Sequence, residues 1–135
     1  MKDIRQVCLI EDDPIAVLLS KKFMQLTGAI EEIIVYGNGK EAYEGLKSRW
    51  KEGEQLPNFI FLDLNMPIWD GWNFLKEFKK LNILSKPIIY ILTSSTSQCD
   101  KDKAKNFGLD DHYLVKPIDL KQIKEIFKQE VERDN

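Results

Sequence analysis

The stretch FIFLDLNMPIWDGW, Phe59 to Trp72, decides the fold. Its first four residues, Phe59-Ile60-Phe61-Leu62, are bulky and apolar with no polar alternation. A strand with one face in water alternates, so this run reads as a strand covered on both faces, of the kind found in parallel sheets packed between helices. The run then stops at Asp63. An ionised carboxylate is rarely set against a core unless something pairs with it or it does chemistry. The rest of the sequence says which.

Short β-branched and apolar runs recur at Val7–Ile10, Ile33–Tyr36, Ile88–Leu92 and Tyr113–Val115, and a stretch of helical period follows each. The helical stripes are Ile15, Leu18, Leu19, Phe23 and Leu26; Ala42, Tyr43, Leu46 and Trp50; Phe74, Leu75, Phe78 and Leu81; a weaker one through Ala104 and Phe107; and Leu120, Ile123, Phe127 and Val131. Local signals agree with the periods. Asn38 with Glu41 and Asp119 with Gln122 have capping-box spacing, Pro14 suits a first helical position, and Gly28 and Gly108 suit helix ends. Five strands alternating with five helices predict an α/β chain, doubly wound, with a parallel five-stranded sheet as the middle of three layers. The longest polar connection, Ser48–Pro57, reads as a solvated helix end and loop.

The chain has 135 residues, 43% hydrophobic and 31% charged, enough for one domain with a core and too few for two of ordinary size. One domain over residues 1–135 is expected, and because the chain stops just after the fifth helix, no effector domain is expected with it. Its 20 basic and 22 acidic residues are scattered, so no charged stripe points to nucleic acid or a membrane surface as partner. No apolar run approaches a membrane span, and Met1-Lys2-Asp3-Ile4 lacks the apolar region of a signal peptide, so a cytoplasmic location is expected. Cys8 and Cys99 fit neither a disulfide framework nor a metal site and read as free thiols.

In an open parallel sheet the ligand site lies beyond the carboxyl ends of the strands. There the sequence places Glu11-Asp12-Asp13 after the first strand, Asp63 after the third, Thr93-Ser94-Ser95 after the fourth and Lys116-Pro117 after the fifth. Carboxylates gathered at one edge repel one another unless a cation neutralises them. Mg²⁺ is the natural candidate, since it takes oxygen ligands and binds through one or two carboxylates plus a phosphate. Thr93 and Lys116 could then hold the remaining phosphate oxygens, which makes a phosphoryl-transfer site with Asp63 as the nucleophile.

With those residues assembled, the sequence resembles the receiver domain of two-component response regulators, the CheY-like family. The resemblance rests on I-E-D-D-P at Ile10–Pro14, L-D-L-N-M-P-x-x-D-G-W around Asp63, L-T-S-S at Leu92–Ser95 and Y-L-V-K-P at Tyr113–Pro117. It implies a flavodoxin-like fold with strand order 2-1-3-4-5. It implies Asp63 as the phosphoacceptor, Asp12 as a direct Mg²⁺ ligand (Mn²⁺ can substitute), Glu11 as a ligand through water, and the backbone carbonyl of Asn65 as a further ligand. Thr93 would bond a phosphoryl oxygen, Lys116 would pair with the phosphoryl group, and Tyr113 would be the switch aromatic that turns in behind Thr93. The Lys116–Pro117 bond would be cis. Leu109-Asp110-Asp111-His112 is one residue longer than the usual spacing, and the count back from Lys116 selects Tyr113 over His112. Asp13 has a secondary role, and Trp69 stands where the family has another apolar residue.

The function so implied is a phosphorylation-dependent switch. A sensor histidine kinase or histidine phosphotransfer protein donates the phosphoryl group, and an unknown protein target reads the result. The chain would catalyse only its own phosphorylation and dephosphorylation. An aspartyl-phosphate phosphotransferase or phosphatase of the same topology is the alternative, but commonly needs a second acid two residues beyond the nucleophile, where Asn65 stands. A flavodoxin-like electron carrier would find its cofactor phosphate repelled by Glu11-Asp12-Asp13. His112 reads as a surface residue, and Trp50, Trp69 and Trp72 as apolar area.

Overall fold

The computed structural model describes residues 3–133. In chain order the elements are β1 (Ile4–Ile10), α1 (Pro14–Leu26), β2 (Ile30–Tyr36), α2 (Gly39–Lys51), β3 (Phe59–Leu62), α3 (Gly71–Lys79), β4 (Ile88–Thr93), α4 (Gln98–Asn106), a 3₁₀ turn (Asp110–His112), β5 (Tyr113–Val115) and α5 (Leu120–Arg133). All neighbouring strands pair in parallel, in the order β2-β1-β3-β4-β5. This is the doubly wound, flavodoxin-like (βα)5 architecture. β1 and β2 begin earlier than the apolar runs suggest, because Arg5, Gln6, Glu31 and Glu32 interrupt the hydrophobic signal without interrupting the ladder.

β3 explains its own composition. Phe59 and Phe61 point into a core shared with Met24 of α1 and with Ile123, Ile126 and Phe127 of α5. Ile60 and Leu62 point the other way, to Ala42 and Leu46 of α2 and Phe74, Leu75 and Phe78 of α3. A strand buried on both faces has no position left for a polar side chain. Phe61 stacks on Tyr90 at 5.8 Å and meets Phe127 edge-on at 6.2 Å, the geometries that aromatic rings favour.

Helix ends follow the expected chemistry. Asp119 and Gln122 exchange backbone-to-side-chain hydrogen bonds at 2.8 and 3.0 Å, and Asn38 caps Glu41 at 2.9 Å. A further capping box, Asp70 with Asn73, starts α3. Gly28 and Gly108 leave α1 and α4 with φ of 69° and 73°.

The α1 stripe is a correction. Of the residues that define it, Phe23 packs against the core, while Ile15, Leu18, Leu19 and Leu26 are exposed to 68%, 67%, 49% and 57%. The opposite face, with Val17, Ser20 and Met24, meets the sheet and α5. This helix is apolar on two faces, and period alone cannot rank them. At its start the Asp13 side chain caps the helix, accepting from the Ile15 N–H at 3.0 Å.

Both cysteines are free thiols, Cys8 buried and Cys99 exposed. Burial pushes the Cys8 thiol far above its ordinary pKa. Among the described residues no helix is long and apolar enough to cross a membrane.

Candidate functional site

Register brings the strand ends level. Ile10 pairs with Leu62 and Thr93 with Val115, and the ladder runs one residue further, with the Asp63 N–H donating to the Ile10 carbonyl at 3.0 Å and the Lys116 N–H to the Thr93 carbonyl at 2.8 Å. Glu11 and Asp63 therefore leave the sheet side by side, and Lys116 leaves it two strands from Asp63, on the far side of β4, with its side chain reaching back towards them. One carboxylate oxygen each from Glu11, Asp12 and Asp63 lies within 4.8 Å of the others. The Lys116 ammonium forms a close ion pair with Glu11 Oε1 and stands 3.6 Å from Asp63 Oδ2.

Burial sharpens the electrostatics. Glu11 and Asp63 are 3% and 7% exposed, whereas Asp12 reaches water. Burial raises the Glu11 pKa, the neighbouring Asp63 raises it further, and Lys116 pulls it back. Three carboxylates against one ammonium leave two negative charges uncompensated, all on hard oxygen donors. That donor set suits a divalent ion such as Mg²⁺. Glu11 Oε2 also accepts from the Asp12 N–H at 3.1 Å, which fixes the turn that carries Asp12. Asp13 is spent on the α1 cap. Asn65 is exposed two residues past Asp63.

The loop that follows Asp63 is held at both ends. Asp63 Oδ1 accepts from the Leu64 N–H at 2.8 Å, and the Gly71 N–H donates to the Leu64 carbonyl at 3.0 Å. A Cβ on Gly71 would lie 2.6 Å from the Asp63 carbonyl oxygen, so no other residue fits there without moving the Asp63 backbone. From the other side, the Gly39 N–H donates to the Trp69 carbonyl at 3.1 Å, and a Cβ there would lie 2.9 Å from the Trp69 and Asp70 carbonyls. Between these contacts Ile68 takes φ of 70°, a costly conformation for a β-branched residue, and is 73% exposed.

On the β4 side, Thr93 is fully buried and its Oγ1 accepts from the Ser95 N–H at 3.2 Å. Tyr113 donates its hydroxyl to the Ser95 carbonyl at 2.8 Å. The 3₁₀ turn Asp110–His112 leads directly into β5. It turns His112 back onto the sheet, where Nδ1 bonds the Ile89 carbonyl at 2.9 Å and the ring stacks on Tyr90 at 4.1 Å. His112, read from sequence as a surface residue, is half-buried, with one ring face packed on Tyr90. Sequence reasoning also missed Trp72 and Asp100, whose indole N–H and carboxylate meet at 3.0 Å. No local signal marks that pair, since it joins two helices 28 residues apart. The Lys116–Pro117 bond is cis. A cleft of about 720 Å³ opens near Arg5, Trp50, Leu56 and Lys86, away from these residues, so the site rests on converging side chains rather than on enclosure.

Comparison with known proteins agrees with this architecture. The profile of the response regulator receiver domain matches residues 7–128. The chain is 32% identical over 121 residues to the Probable methanogenesis regulatory protein FilR2 of Methanothrix harundinacea (strain 6Ac), covering 87% of this chain and 76% of that one. It is 30% identical over 138 residues to the Hybrid signal transduction histidine kinase K of Dictyostelium discoideum, covering 97% of this chain and 11% of that one. A crystal structure of a two component response regulator from Cytophaga hutchinsonii superposes with a TM-score of 0.84 at 29% identity, covering 98% of this chain and 99% of that one. With the family matched across all five strands on this fold, the chain belongs to the response regulator receiver domain family and is a receiver of two-component signalling.

Proposed function

We infer that Asp63 is the phosphoacceptor and that the donor is the phosphohistidine of a kinase or histidine phosphotransfer protein in the cytoplasm. The observation that carries this reading is the convergence of Glu11, Asp12, Asp63 and Lys116 at one sheet edge. In the transfer, an oxygen of the Asp63 carboxylate forms the new bond to phosphorus as the donor's N–P bond breaks, and the leaving imidazole is protonated. Lys116 balances charge on the transferred group, and Thr93 supplies a hydroxyl to one of its oxygens once the β4–α4 loop moves. Glu11, Asp12, Asp63 and the Asn65 carbonyl would hold Mg²⁺, which when bound neutralises charge between nucleophile and donor. The chain catalyses this reaction only on itself. Its output is a changed binding surface, with Tyr113 answering Thr93.

The donor protein docks on the exposed face of α1. Ile15, Leu18 and Leu19 form an apolar surface that starts two residues after Asp13, so it adjoins the place where a phosphohistidine must arrive.

Incubation with acetyl phosphate and Mg²⁺, followed by intact mass spectrometry, tests the acceptor and the metal together. The parent should gain one phosphoryl group, while Asp63→Asn and Asp12→Ala should gain none. A gain that persists in Asp63→Asn would exclude Asp63, and one that persists in Asp12→Ala would exclude the metal assignment.

A further inference from the structure

β5 is a strand of 3 residues at the edge of the sheet, beside β4. A strand that short specifies its register weakly, and a slip of one residue sends every side chain to the opposite face. The direction of Tyr113 depends on that register. Its ring packs with Leu64, Ile91 and Ala104 on the α4 side of the sheet, and its hydroxyl donates to the Ser95 carbonyl at 2.8 Å. A slip would turn it towards α5.

His112 supplies a further hold. The Lys116 N–H donates to the Thr93 carbonyl at 2.8 Å, and the Ile91–Tyr113 pairing sets the Leu114 N–H against the Ile91 carbonyl one step earlier. The ladder of a parallel pair repeats every two residues, so the next step back would bring the His112 N–H to the Ile89 carbonyl. That N–H is spent elsewhere: it closes the 3₁₀ turn, donating to the Leu109 carbonyl at 3.0 Å. The side chain takes its place, with Nδ1 2.9 Å from the Ile89 carbonyl oxygen. One residue thus closes the turn with its main chain and lengthens the ladder by a rung with its ring. A carbonyl only accepts, so Nδ1 carries the proton and Nε2 of the neutral ring keeps the lone pair. The ring lies flat on Tyr90, with 4.1 Å between centroids and 5° between planes, on the side of the sheet that α5 covers. His112 and Tyr113 therefore occupy opposite faces. We propose that His112 is a positioning residue for Tyr113, its imidazole standing in for a backbone N–H so that Tyr113 enters β5 on the α4 face. The proposal rests on Tyr113 answering Thr93, as inferred above.

Imidazole ¹⁵N resonances of the parent, recorded in mildly alkaline buffer, read the tautomer. Nδ1–H is expected, and an Nε2–H ring, the form a free side chain favours in water, overturns the proposal. Three variants then separate the hydrogen bond from the ring stack: His112→Asn restores a donor on Cγ without the ring, His112→Phe keeps a ring without the donor, and His112→Ala has neither. Exchange of the Leu114 amide is measured relative to that of Phe61 in β3, so that global stability cancels. It should quicken about three- to tenfold in His112→Phe and His112→Ala, the worth of one hydrogen bond, and stay within about twofold of the parent in His112→Asn. The change in the Tyr113 ring resonances on adding beryllofluoride, a phosphoryl mimic, with Mg²⁺ should follow the same order, kept in His112→Asn and diminished in the other two. Packing alone would give the reverse, with His112→Phe parent-like. Parent-like exchange in His112→Phe, or no rescue by His112→Asn, overturns the proposal while leaving Asp63 as acceptor. If His112→Phe fails to fold, the contrast of His112→Asn with His112→Ala decides. A parent whose Tyr113 resonances ignore beryllofluoride overturns the reading of Tyr113 on which the proposal rests, whereas the tautomer and the exchange rates bear on His112 alone.

Discussion

Asp100 is a residue whose ionisation the fold controls. Its carboxyl is held below the ordinary value of 3.8 first by the Ser95 hydroxyl, against some burial, and then by the Trp72 indole, Ser97 and Lys103. A carboxylate with a depressed folded pKa contributes stability that is fully present above the unfolded value and is lost as pH falls through the folded one. The stability gap between the parent and Asp100→Ala should therefore be constant from neutral pH down to about 5 and narrow below 3.8. Urea midpoints at several pH values measure it, and a gap that widened on acidification would contradict the assignment. At this scale the sequence is informative wherever function follows from position. Glu11, Asp12, Asp63 and Lys116 each stand one or two residues past a strand and Thr93 is the last residue of β4, so locating the strands located the cluster. Trp72 and Asp100 escaped because an indole reads as apolar area and its single polar atom finds a partner only in three dimensions.

Among the elements, α1 departs most from its sequence. Four of its apolar side chains face water, although a helix stripe ordinarily marks the buried face. A charge placed there should leave the core and the acceptor alone and harm only the approach of a donor protein. Leu18→Asp should thus cut phosphotransfer from the cognate kinase at least about tenfold while phosphorylation by acetyl phosphate, measured by mass spectrometry, stays within about twofold of the parent. Equal losses with both donors would remove α1 from the docking surface. The other helices were legible because each has a single apolar face: Ala42 and Leu46, Phe74, Leu75 and Phe78, and Ile123 and Phe127 are all buried as their spacing predicts.

For the whole molecule, one sheet separates two cores, and neither can be lost alone. Phe61 fills one and Phe74 the other, both fully buried. Phe61→Ala and Phe74→Ala should each cost about 3–5 kcal/mol and each lower the same cooperative transition in denaturant. A second transition in either variant would mean that the faces melt separately. The fold was readable at this scale because β3, apolar at every position, must be central, and because strands and helices alternate without exception. What remained hidden was how unequally the site's loops are held. The loop after Asp63 is fixed by backbone hydrogen bonds at Gly39 and Gly71, where there is no room for a side chain, whereas the loop after Thr93 is held to α3 and β5 by side-chain groups on Trp72, Asp100 and Tyr113. Main-chain contacts of that kind are invariant to most mutations and side-chain contacts are not. Single substitutions on the α4 side can therefore shift how the Thr93 loop is held while the backbone around Asp63, where phosphoryl chemistry is proposed, stays as it is.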